Sequence, residues 1–192
     1  MKGFILGILV TIAVIVAAGL FVAETGRVNM RADNPPSNME KRLAGGAMDA
    51  SVERHAPDIK NPLQPTTENL IGGATVYLDH CALCHGDPAR PKSPLAESLN
   101  PPPPQFMTDA ADMPENQNYY ITVHGIRWTG MPGWKNVLKD QDIWQVVTFL
   151  SHMNNLPPEV KSVFGLQGPP PAEVKPSKPL AQKSSKKPRK KP

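Results

Sequence analysis

The chain is poor in cysteine: Cys81 and Cys84 are the only two among 192 residues. Two thiols exclude the disulfide framework that staples many small secreted domains, and they exclude a four-thiolate zinc site. A mixed zinc site would want a matching histidine pair downstream, and none follows. A thioredoxin-like thiol pair would want a βαβ pattern around it, yet no segment reads as a strand. Acid is missing from one end: residues 175–192 hold eight Lys or Arg and no Asp or Glu. Without those eight, the other 13 basic residues face 17 acids. The body is therefore mildly acidic, and the net charge of +4 gives no support to nucleic-acid binding.

What the chain has is sharply zoned. Residues 4–23 carry no charge, and such a run spans roughly 30 Å as a helix, the thickness of a bilayer's hydrocarbon core. The rival reading is a signal peptide. Its apolar region is normally about 7–15 residues, and the small residues at Val16-Ala17-Ala18 keep that rival open. Lys2 and the amino terminus against Arg27 and Arg31 are too even a balance to orient the helix. The 23 prolines gather outside the segments with helical periodicity. The expected organisation is an anchor (or uncleaved signal) at 1–23, a linker at 24–65, a globular domain at 66–157 and a disordered Pro/Lys-rich tail at 158–192. One helix over about 39–55 is expected in the linker. The basic end has three readings: a solvated terminus, a tether to anionic headgroups, or a docking arm.

Three helices are readable inside the domain, and the fold class is all-α. Thr66 or Thr67 caps a helix to about Cys81, with Leu70, Ala74, Tyr77 and Leu78 on one face. A second covers Glu115–Val123 and ends at His124-Gly125. The third opens with Asp140 and Asp142, carries an apolar stripe of Ile143, Val146, Val147 and Leu150, and stops at Pro157-Pro158. A domain of this size has a thin core, which a covalently held cofactor would fill.

His85 follows Cys84 directly, so the thiols stand in Cys81-Ala82-Leu83-Cys84-His85. That spacing is the c-type haem-attachment pattern, with two thioethers to the ring and His85 as an axial nitrogen to iron. The sixth ligand should be a soft or nitrogen donor. Met30, Met39 and Met48 lie in the linker and Met153 on the last helix, where core packing is the better reading. Met131 stands in Trp128-Thr129-Gly130-Met131-Pro132-Gly133-Trp134. Turn chemistry can hold that segment over a haem face with the tryptophans shielding it. Met113 and His124 remain as alternatives.

Residues 66–157 resemble the class I cytochrome c domains of bacteria, especially the single-haem modules related to the cytochrome subunits of terminal oxidases. Carrying the resemblance are Gly73-x-x-Val76-Tyr77 before the cysteine motif, His85-Gly86, then Thr129-Gly130-Met131-Pro132, then Asp142-Ile143-Trp144-x-Val146-Val147-x-Phe149-Leu150. It implies one haem c, with His85 proximal and Met131 distal. It also implies that Gly73 lets the first helix cross the last closely near Phe149, and that one proline of Pro101–Pro104 gives its carbonyl to His85. Arg127 is the candidate partner for a haem propionate, against the plainer reading of a solvated loop arginine, and His124 reads as a surface residue. The expected role is a membrane-anchored single-electron carrier on the outer, periplasmic side of a bacterial inner membrane. Its donor would be a quinol-oxidising complex or dehydrogenase, and its acceptor an oxidase or another cytochrome. A haem enzyme or gas-responsive sensor with a labile Met131 is the alternative, and a structural or maturation subunit of a respiratory complex is a third.

Overall fold

The computed structural model describes residues 2–166, so the expectation for 167–192 lies outside the described residues. Seven α-helices occur among them, and no strand forms. α1 (Lys2–Glu24) buries no residue against the rest of the described chain and is long and apolar enough to cross a membrane. α2 (Asn38–His55) starts where Ser37 accepts the Glu40 N–H. It lies beside α5 (Glu115–His124) and buries Val52.

α3 (Thr67–His80) opens on Thr66, whose hydroxyl accepts the Asn69 N–H at 3.3 Å. α6 (Asp140–His152) opens on a carboxylate from Asp142 that accepts the Lys139 N–H at 3.2 Å. The two helices cross at Gly73. A Cβ there would overlap the Gln145 carbonyl oxygen and lie 2.6 Å from Phe149 Cβ, so only glycine lets the backbones meet. The crossing buries Leu70, Ala74 and Tyr77 from α3 against Val146 and Phe149 from α6.

The chain does not become a tail at Pro158. Residues Pro158–Phe164 form α7, with proline at the first helical position where its missing N–H costs nothing. Val160 and Phe164, four apart, face the core, and the Phe164 ring packs edge-on to Tyr77 at 5.7 Å and to Phe149 at 4.8 Å. Gly165 then ends the helix at φ 84°. The expected disordered segment at 158–192 is corrected for Pro158–Phe164: α6 has already ended at His152, a 3-10 turn covers Met153–Asn155, and Pro157-Pro158 starts another helix.

Candidate functional site

α3 runs straight into the cysteine pair. The Cys81 N–H closes α3 on the Tyr77 carbonyl at 2.8 Å, and the Cys81 carbonyl accepts from Cys84 at 3.1 Å and His85 at 2.9 Å. This opens α4 (Ala82–His85), which is too short to satisfy its own last carbonyls. Each finds a partner elsewhere. Leu83 O accepts the Ser93 hydroxyl at 2.5 Å, Cys84 O the Gln105 amide at 3.0 Å, and His85 O the Phe106 N–H at 3.2 Å. Gly86 O accepts the fully buried Tyr77 hydroxyl at 2.7 Å. Gly86 itself sits at φ 83°, where a Cβ would come within 2.7 Å of the Pro91 carbonyl oxygen.

This scaffold fixes His85. Its buried ring has Nδ1 2.9 Å from the Pro104 carbonyl oxygen, which identifies the proline of the 101–104 run that meets it. A carbonyl only accepts, so Nδ1 carries the proton and Nε2 keeps its lone pair. Burial holds the imidazole below its ordinary pKa, against a smaller opposing effect of the Pro104 bond. One ring face lies on Phe106, with centroids 4.7 Å apart and planes 7° from parallel. Cys81 and Cys84 are free, half-buried thiols. Burial, with a lesser push from Cys84, raises Cys81 to about 12, so it stays protonated at neutral pH.

The Met131 segment is a bow that closes on the end of α5. Gly125 turns the chain at φ 69°, and a Cβ there would lie 2.6 Å from both the Met131 carbonyl oxygen and the Gly133 nitrogen. The Ile126 N–H donates to Met131 O at 3.1 Å, the Met131 N–H to Thr129 Oγ1 at 3.1 Å, and the Thr129 hydroxyl to Ile126 O at 2.8 Å. The Trp134 N–H returns to Thr122 O at 2.9 Å. Met131 is left half-buried at the middle of the bow, with Gly130 pressed against Leu99.

The tryptophans do not both shield this segment. Trp128 is 90% exposed at φ 61°, and its ring lies 6.0 Å from the exposed Arg127 guanidinium. Trp134 alone turns inward. Its Nε1 is buried with no acceptor among the described residues, and its ring lies 5.2 Å from that of His80, beside Cys81. Of the other candidates, His124 is exposed against Tyr120, Met113 is half-buried, and Met153 is in the core. Sequence reasoning missed Ser93, Gln105 and Phe106. Only the position of Gln105 and Phe106 directly after the proline run could have pointed to them.

Two free thiols in one turn, a neutral imidazole with Nε2 unspent and a buried indole N–H without an acceptor fit a covalently bound haem. Residues 68–150 match the family model described as cytochrome c oxidase, cbb3-type, subunit III. No curated protein matches the chain. Among solved structures, the chain is similar to one from the Kuenenia stuttgartiensis reducing HAO-like protein complex, at 22% identity and a TM-score of 0.41. The match covers 49% of this chain and 48% of that one, so the chain spans about half the length of that relative. With the helical fold and the cysteine–histidine motif, the family match makes residues 68–150 a c-type cytochrome domain, an electron-transfer unit that carries covalently attached haem c.

Proposed function

We propose that the protein is a membrane-anchored, single-haem cytochrome c that passes electrons one at a time in a periplasmic respiratory chain. The observation that carries this reading is the imidazole of His85, held neutral with Nδ1 on Pro104 O in the same turn as two free thiols. Cys81 and Cys84 would hold the ring, each adding its sulfur and proton across one vinyl group to leave a thioether. His85 Nε2 would be the proximal iron ligand and the Met131 sulfur the distal one. Once bound, the haem iron supplies a one-electron ferric/ferrous couple, with a potential that a thioether ligand raises relative to two histidines.

The protein's own residues set the terms of that couple. The Pro104 carbonyl raises the basicity of His85 and fixes its ring. With Met131 as the second iron ligand, no position would be left for a substrate. Arg127 would pair with a propionate from the surface. α1 would hold the domain to the inner membrane with its redox partners on the periplasmic face. The donor would be a quinol-oxidising complex or dehydrogenase, and the acceptor an oxidase or cytochrome.

Absorption spectroscopy of the purified full-length protein tests the reading. The ferric form should show the red charge-transfer band of methionine–iron ligation, and the ferrous form should bind carbon monoxide poorly. Met131→Ala should keep the covalent haem, lose that band, bind carbon monoxide rapidly and lower the potential. Rapid carbon monoxide binding by the unaltered protein would overturn the carrier in favour of the labile-ligand reading.

A further inference from the structure

Residues 57–65 fold back over α5 and α6 as a strap. The Asn116 amide donates to Pro57 O at 3.0 Å, and the Asn61 amide donates to Thr148 Oγ1 at 2.8 Å. α2 comes just before the strap, packs on α5 and buries Val52 alone. A helix's own backbone cannot cover a valine to 5% exposure, so Val52 marks the contact that holds α2 to the domain. Together α2 and the strap form a collar over residues 38–65, outside the 68–150 that match the family model.

The helix that the collar grips has little hold of its own. α5 buries only Thr122, and its first turn has no side-chain cap because Pro114 stands at the N-cap. α6 ties it through the Ser151 hydroxyl on Glu115 Oε1 at 2.6 Å and through the Tyr119 hydroxyl on Asp140. The collar ties it through α2 and through the Asn116 bond to Pro57 O.

The other end of α5 carries the Met131 bow. The Trp134 and Lys135 N–H groups donate to Thr122 O at 2.9 Å and Val123 O at 3.3 Å. Gly133 is pressed onto the same turn, where a Cβ would lie 2.8 Å from the His124 carbonyl oxygen. A helix of 10 residues is a rod of about 15 Å, so movement at its first turn is carried to its last. We propose that the collar positions Met131 through α5, with Val52 and Asn61 as positioning residues far from the cysteine motif. Without the collar α5 is left to α6, and the bow opens more often. The consequence for the iron rests on the reading of Met131 as the distal ligand. The chain between α1 and the haem domain would then set how tightly the sixth position is closed.

The test uses the full-length protein in detergent micelles and reads the bow by amide hydrogen exchange, which does not require Met131 to be an iron ligand. Val52→Asp puts a carboxylate into the buried contact and should release the collar. Exchange at the Met131 and Trp134 amides should rise about tenfold, the scale of one buried valine lost. Carbon monoxide should bind the ferrous protein faster by a similar factor. Asn61→Ala removes only the strap's bond to Thr148 and should move both readouts the same way by about fivefold, even where Val52→Asp fails to fold. Val52→Ile should keep both at their unaltered values, and Leu43→Asp, on the exposed face of α2, should change neither. A role in stability alone would lower the urea midpoint and leave exchange at the bow untouched, which would overturn the proposal. Faster exchange with unchanged carbon monoxide binding, in a protein that shows the methionine–iron band, would overturn it too. Absence of that band from the unaltered protein would overturn the ligand reading instead, and the exchange rates would still decide whether the collar holds the bow.

Discussion

The two stretches proposed to face the haem are built in opposite ways. Around His85, the carbonyls of residues 83 to 86 are taken up by Ser93, Gln105, Phe106 and Tyr77, which come from as many as 21 residues away. Around Met131, the bonds run within residues 125–131 or back to the adjoining end of α5. The first wall is cross-linked over residues 77–106 and includes the fully buried Tyr77 of the core. The second is a local turn, held by Thr129 and by the conformational freedom of Gly125, and it can shift while the core stays intact. In the proposed carrier, His85 would be the permanent iron ligand and Met131 one whose hold is set by a short loop.

The sharpest way to break the comparison is Gly125→Ala. It places a side chain at φ 69° and within 2.6 Å of the Met131 carbonyl, a strain of roughly 1–3 kcal/mol. The methionine–iron band should disappear while the haem stays attached; an unchanged band would show that the bow is not locally determined. Tyr77→Phe attacks the other wall by stranding the buried Gly86 carbonyl. It should lower stability by about 1–3 kcal/mol, read as a shift in the urea midpoint, and leave the band intact. Thr129→Val removes the hydroxyl that joins Ile126 O to the Met131 N–H. About 1 kcal/mol is expected there, with faster carbon monoxide binding by the ferrous protein as the readout.

The smallest effect concerns neither wall and serves as a control. The Tyr119 hydroxyl donates to Asp140 Oδ1 at 2.5 Å, and that bond raises the phenol from 10.0 to about 12. The folded state therefore holds the proton more tightly than the unfolded state. This contribution is complete below pH 10 and is lost as pH rises toward 12. Thermal melts of the unaltered protein should lose stability more steeply across that window than those of Tyr119→Phe, with the iron ligation the same in both.

Much of the architecture was readable because helices announce themselves locally. The helix expected from Thr66 or Thr67 to Cys81 is Thr67–His80, and the one expected over Glu115–Val123 is Glu115–His124. Caps at Thr66 and Asp142 and the stripe through Val146 and Val147 are short-range signals. α7 escaped because a proline pair reads as a stop, and its two anchors, Val160 and Phe164, gain meaning only against Tyr77 and Phe149. The linker was readable as proline-broken chain, but its folding back as a strap depends on Asn61 and Asn116 finding partners far along the sequence.

The sequence by itself determined the chemistry. Two cysteines and a histidine at fixed spacing, and a methionine between Gly130 and Pro132, are covalent facts that no packing alters. The tertiary structure decided what surrounds them. It chose Pro104 from a run of four prolines, laid Phe106 on the imidazole, turned Trp134 inward and left Trp128 and Arg127 at the surface. The first three of these choices rest on contacts between residues distant in the chain. Hydrogen-bond partners and burial are properties of the assembled core, and local pattern carries no record of them.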